Sequence, residues 1–130
     1  MNKLTSIFVE GSVSHSPLNK KEGYKLYSTW LDLFAHDLKD SNGKYAIGNY
    51  IWESYYSGRL PSINGSKALE LYRSKAIEDY YIICENGEQA YDCKSANWPN
   101  IYGEEAILFP KSKSWSLVFS HEETVHYVVP

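Results

Sequence analysis

The segment 80–93 constrains the fold more than any other part of this chain. Tyr80-Tyr81-Ile82-Ile83-Cys84 and Gln89-Ala90-Tyr91-Asp92-Cys93 are rich in β-branched and aromatic residues, and Glu85-Asn86-Gly87-Glu88 separates them. Asn-Gly supplies the pair of positive-φ residues that a tight hairpin turn requires, because the twist of such a turn matches that of its strands. A two-residue turn at Asn86-Gly87 pairs Cys84 with Gln89 and Cys93 with Tyr80. Further strand-like runs follow at 106–109, 115–119 and 125–129, with a Pro110-Lys111-Ser112-Lys113 turn between the first two. The second half of the chain therefore reads as a run of five antiparallel strands.

The first half has a helical period. Asn19 and Glu22 match a capping box, and Pro17 suits a helix entry. Tyr24, Tyr27, Leu31, Phe34 and Leu38 then recur at three- and four-residue spacing, with Trp30 alongside, so the pattern predicts a helix over 18–38. Lys39-Asp40-Ser41-Asn42-Gly43 ends it. A second helix is expected over 66–76, with Ala68, Leu69, Tyr72 and Ala76 on one face and Asn64 or Ser66 as its cap. Residues 6–13 read as a first strand. Residues 49–55 read as another, although Ile47, Ile51 and Tyr55 also fit a helical face. With no internal repeat or linker, residues 1–130 form one expected domain of α+β class, two main helices packed on one face of a mostly antiparallel sheet.

Aromatic residues make up 15% of the chain, with twelve Tyr and four Trp. Not all of them fit inside so short a chain, and Tyr and Trp are favoured at contact surfaces. The charge is uneven: residues 1–65 carry seven Lys/Arg and six Asp/Glu, whereas residues 66–130 carry six and ten. An acidic surface repels phosphate backbones and attracts basic proteins, so the expected partner is a protein and not a nucleic acid. No run is long and apolar enough to span a bilayer, and the first ten residues lack a cleavage signal. The expected location is cytoplasmic, with Cys84 and Cys93 as thiols.

Catalytic and metal chemistry find little support in these residues. His121 and Glu123 would share a face of an extended segment and are the candidate pair for metal or acid–base work, but His15, His36 and His126 stand at no ligand spacing. The bland alternative is a solvated turn between two strands, and it is favoured. His36 near a helix end has a sufficient role in the helix dipole. No signature for a nucleophile surrounds either cysteine, and no Gly-rich phosphate loop is present. The chain is expected to be no enzyme and to need no metal or cofactor. The candidate partner-binding residues are Glu85, Glu88, Asp92, Trp98, Tyr102, Glu104 and Glu105, where acidic and aromatic side chains interleave.

Phe109-Pro110-Lys111, followed by Trp115-Ser116-Leu117-Val118-Phe119-Ser120-His121-Glu122, resembles the ending of a family of small bacterial domains of unknown function. Trp52 and Gly65-Ser66-Lys67-Ala68 stand where that family has an earlier Trp-containing strand and a Gly-then-helix segment. The likeness covers about 50–122 loosely and carries no catalytic residue over to this chain. In overall type the chain is similar to bacterial immunity proteins, which are small, cytoplasmic, often acidic and aromatic-rich. That likeness implies an antitoxin-like protein that binds and neutralises a cognate toxin domain, of a basic nuclease type. The alternatives are a small enzyme or metal-binding protein using His121 and Glu123, or a non-catalytic regulatory or structural subunit.

Overall fold

The computed structural model describes residues 3–101 and 103–130, with only the backbone described at Lys3 and Glu85. In chain order its elements are α1 (Lys3–Glu10), β1 (Ser14–Pro17), α2 (Lys20–Phe34), α3 (Trp52–Tyr56), β2 (Ile63–Asn64), α4 (Gly65–Ser74), β3 (Tyr80–Cys84), β4 (Gln89–Lys94), β5 (Ala106–Pro110), β6 (Ser116–Phe119) and β7 (Val125–Val128). The strands form a 7-stranded sheet in the order β1-β4-β3-β5-β6-β7-β2, with every neighbouring pair antiparallel. The chain is therefore of α+β class.

The hairpin has the expected register, Cys84 opposite Gln89 and Tyr80 opposite Cys93, and no disulfide joins the two cysteines. Asn86 (φ 56°, ψ 32°) and Gly87 (φ 95°) supply the two left-handed residues of its turn. The long helix also starts where expected. The Asn19 carboxamide oxygen accepts from the Glu22 amide (2.8 Å), and the Glu22 carboxylate accepts from the Asn19 amide (3.1 Å). α2 stops at Phe34, and a 3-10 turn at His36–Leu38 carries Leu38 back into the core.

Three expectations need correction. The helices do not share one face of the sheet. Along β3 and β5, Tyr80, Ile82, Ala106 and Leu108 join one apolar cluster with α1 and α4, whereas Ile83, Ile107 and Phe109 join a second cluster with α2 and α3. β5 and β6 are buried at every position, and β3 has no exposed one, so both faces of the sheet must be covered there. Within residues 6–13, positions up to Glu10 are helical: Leu4, Ile7 and Phe8 lie at helical spacing and point inward, and Gly11 with Ser12 (φ 51°) turns the chain into β1. The span 49–55 holds helix α3 and no strand, because Ile51, Trp52 and Tyr55 bury together on one side. Tertiary contact decides against the strand-like composition there. The Tyr55 hydroxyl donates to the Phe34 carbonyl at the end of α2 (2.9 Å).

α2 is fastened to the sheet at two points. The Trp30 indole N–H donates to Ser116 Oγ (2.9 Å), which donates in turn to the Leu108 carbonyl (2.9 Å), so every polar atom of that buried relay has a partner. At the other point Gly23 lies against the hairpin turn, where a Cβ would meet the Gly87 carbonyl oxygen at 2.2 Å.

Candidate partner interface at one end of the sheet

Antiparallel pairing brings the last residues of β3 and β6 to the same end of the sheet as the first residues of β4, β5 and β7. Three connections meet there: the hairpin turn 85–88, the approach to β5 at 103–105, and the turn 120–124. Each carries acidic residues, Glu85 and Glu88 on the first, Glu104 and Glu105 on the second, Glu122 and Glu123 on the third. α3 packs beside the third connection and adds Glu53. These three connections together give this end an acidic excess, offset in part by Lys20, which enters from β1 at the same end and pairs with Glu88.

Glu105 organises the middle of this end. Its Oε1 accepts from the Trp52 indole N–H (3.0 Å) and the His121 backbone N–H (2.9 Å), and it also bonds His121 Nδ1. His121 Nε2 lies 3.2 Å from the Glu122 carboxylate. The hydrogen bond to Glu105, helped by the charge of Glu122, raises the His121 pKa above its ordinary value. The partners of His121 are thus Glu105 and Glu122, and Glu123 sits on the outside of the turn with φ 61°. Ser120 and Thr124 clasp that turn through their hydroxyls (2.6 Å). Tyr50 and Trp52 both set ring edges against the His121 ring, at 5.2 and 6.0 Å. Among the described residues, no group of three or more His, Cys, Asp or Glu is placed to hold a metal ion.

An open groove of about 620 Å³ runs beside α3, lined among others by Trp52, Glu53, Tyr56, Arg59 and Glu122. A second groove, at the start of α4, meets it at Tyr56 and Thr124. Tyr56 is 69% exposed and Tyr50 41%, so two large aromatic side chains stand in water among carboxylates.

The chain matches no family model, no curated protein and no solved structure.

Of the residues expected to bind a partner, Glu88, Glu104 and Glu105 come together at the acidic end, and the backbone of Glu85 lies with them. Glu88 pairs there with Lys20 at 3.4 Å. Tyr102 lies outside the described residues. Asp92 and Trp98 are elsewhere. Asp92 faces Tyr81 across the hairpin and pairs with Lys111 (2.9 Å), whose ammonium lies over the Tyr81 ring at 5.3 Å. Trp98 packs on the α4 side against Tyr72, Tyr80 and Trp115, and its indole N–H donates to the Lys75 carbonyl (2.9 Å). Its job is to close the core. Tyr50, Trp52, Glu53 and Tyr56 had no place among the expected site residues, because their segment reads as a strand.

Cys93 and His126 are buried titratable groups away from this end's surface. Burial pushes the Cys93 thiol up to about 12, which keeps it protonated and unreactive at neutral pH. His126 is buried between Ser62 (3.5 Å) and Thr124 (3.2 Å), and its ring stacks on Tyr55. Desolvation lowers its pKa below the ordinary 6.5. The unfolded chain therefore takes up a proton first as the medium is acidified. The contribution of His126 is intact above the ordinary value and is lost as pH falls through the depressed one. His121 has the opposite sign, contributing below the ordinary value and losing that contribution as pH rises through its raised one. We expect urea denaturation at about pH 7.5 and about pH 5.5 to show a smaller acid loss in His126→Gln than in the wild type, and a larger one in His121→Gln. Equal pH dependence in all three proteins would contradict this assignment.

Proposed function

We propose that this chain is a non-catalytic binding protein of the bacterial immunity type. In this reading it resides in the cytoplasm and neutralises a cognate toxin domain by covering that domain's substrate surface. The observation that carries the reading is the convergence of Glu88, Glu104, Glu105, Glu122 and Glu123, with exposed Tyr50 and Tyr56, at one end of the sheet. A nuclease-type toxin presents a basic surface to hold phosphate, and an acidic end of this kind offers it a competing occupant. Exposed tyrosines among the carboxylates provide large, stiff contact area of the sort that dominates protein interfaces. Among the described residues, no helix is long and apolar enough to cross a membrane.

A second reading, an acid–base enzyme, draws on the His121–Glu105 hydrogen bond beside the groove. A general base needs a ring nitrogen turned to the substrate. Here Nδ1 is held by Glu105 and Nε2 faces Glu122, so this reading ranks second. The same surface would serve a regulatory or structural subunit, with a different partner.

The test is co-expression with the toxin domain that the immunity reading expects to be encoded beside this chain. Cells should survive induction of the toxin only when this chain is present, and an inactivated toxin domain should co-purify with it in equal amount. Death of the cells despite abundant folded protein, with no complex recovered, would overturn the proposal.

A further inference from the structure

The groove beside α3 has walls that select one kind of side chain. Trp52 and Tyr56 stand nearly perpendicular, ring centroids 6.1 Å apart and planes at 81°. Trp52 is fixed in place: its indole N–H is held by Glu105, and Tyr50 stacks on it at 6.0 Å. Tyr56, by contrast, is largely in water, with one edge against Trp52. Glu53 and Glu122 line the same groove, each with one carboxylate oxygen engaged, by the Tyr50 amide and the His121 ring, and a second with no partner among the described residues. Aromatic faces attract cations through their quadrupole, and carboxylates attract them through charge, so both features favour the same ligand class.

Of the cations beside the groove, His121 faces one oxygen of Glu122 (3.2 Å), and Arg59 pairs with neither carboxylate. Arg59 also lines the groove, and its guanidinium reaches the Ala46 carbonyl at 3.4 Å, a long and weak contact. Among the described residues, no ion pair joins Arg59 to Glu53 or Glu122, and the hydrogen bond to the Glu53 side chain comes from the Tyr50 amide.

We propose that this groove receives an arginine side chain of the partner protein, its guanidinium laid on the Tyr56 ring with Trp52 closing the inner side. The N–H donors of the guanidinium then point to Glu53 and Glu122. Arginine is preferred to lysine because a planar, weakly hydrated guanidinium stacks on an aromatic ring and can bond a carboxylate with two parallel N–H groups, whereas an ammonium keeps its water. The inference rests on the acidic end being the partner surface, and it adds the anchor that this surface would hold.

The probe is a nona-arginine peptide, compared with nona-lysine, titrated into the full chain by calorimetry. We expect nona-arginine to bind about tenfold more tightly. Tyr56→Ala and Glu122→Gln should each weaken nona-arginine by about fivefold or more and bring the two peptides close together. Glu88→Gln makes the same charge change at the same end of the sheet, outside the groove, and should cost less than about twofold. Arg59→Gln, which removes a competing cation, should strengthen binding. Circular dichroism checks that each variant is folded.

Equal losses for Glu88→Gln and Glu122→Gln, or an unchanged affinity in Tyr56→Ala, would overturn the groove as a site. The acidic end would then attract cations diffusely, and its reading as a partner surface would stand. Absence of binding by both peptides would overturn the groove and the acidic surface together.

Discussion

Gly23→Ala lowers the stability of this protein by about 2 kcal/mol, although alanine is the better helix former. In an exposed helix interior the same change would be worth about 1 kcal/mol in the opposite direction. Gly23 lies inside α2, where its missing side chain lets the helix touch the hairpin turn. A Cβ there meets the Gly87 carbonyl oxygen at 2.2 Å, and that atom belongs to backbone that cannot rotate away. Relief would require moving α2 off the sheet, and with it Tyr27, Trp30 and Phe34 from their cluster. Gly87 cannot retreat either, because its φ of 95° and its own approach to Gly23 and Tyr27 tie it to the same contact. Gly48, where an added methyl group would meet nothing within 4 Å, serves as the control and should tolerate alanine with little change. For a chain of this length the expected loss is roughly 8 °C in Tm. A Gly23→Ala protein that melts at or above the wild-type temperature would show that helix and hairpin do not touch this closely.

Gly23 also shows where sequence patterns run out. The capping box, the helical stripe after it, and the Asn-Gly hairpin with its register are all local signals, and each places its element correctly. Local signals do not say which face of the sheet a helix covers. The clue was present in the strands themselves: Ala106-Ile107-Leu108-Phe109 and Leu117-Val118-Phe119 have no alternation of apolar and polar residues, as expected for strands covered on both sides. The edge strands were out of reach for the opposite reason. β1 is exposed along its whole length and β2 has two residues, so neither carries a buried pattern to read. For α1 and α3 the spacing Leu4, Ile7, Phe8 and the spacing Ile51, Tyr55 were helical all along, and composition rich in Ile, Val and Tyr masked them.

The candidate interface was legible in part for a related reason. Acidic residues in turns are visible in a sequence, and Glu85, Glu88, Glu104 and Glu105 follow from that alone. That they converge with Glu122 and Glu123 depends on antiparallel order, which puts three connections at one end. Asp92 and Trp98 shared the composition of the cluster without sharing its place. An ion pair with Lys111 occupies the first, and a core of Tyr72, Tyr80 and Trp115 occupies the second. Glu105 proved to be less an outward charge than a junction, accepting from Trp52 and His121 at once.

Charge reversal at this end has the largest expected effect on function. Glu85→Lys, Glu88→Lys and Glu104→Lys combined replace three carboxylates by ammonium groups on two of the three connections. Glu105 is left in place because its bonds to Trp52 and His121 are structural. If the acidic end steers a basic toxin domain into contact, the triple variant should lose about 100-fold in association rate at low salt, with a far smaller change in dissociation rate. Raising the ionic strength shortens the range of the field and should narrow the gap between the variant and the wild type. The decisive measurement is stopped-flow association of the inactivated toxin domain with both proteins, at about 20 mM and about 300 mM salt, after circular dichroism has established that both are folded. The account predicts a large loss of on-rate at low salt that shrinks at high salt. Equal association rates for the two proteins at both salt concentrations would contradict it and would place the interface away from the acidic end of the sheet.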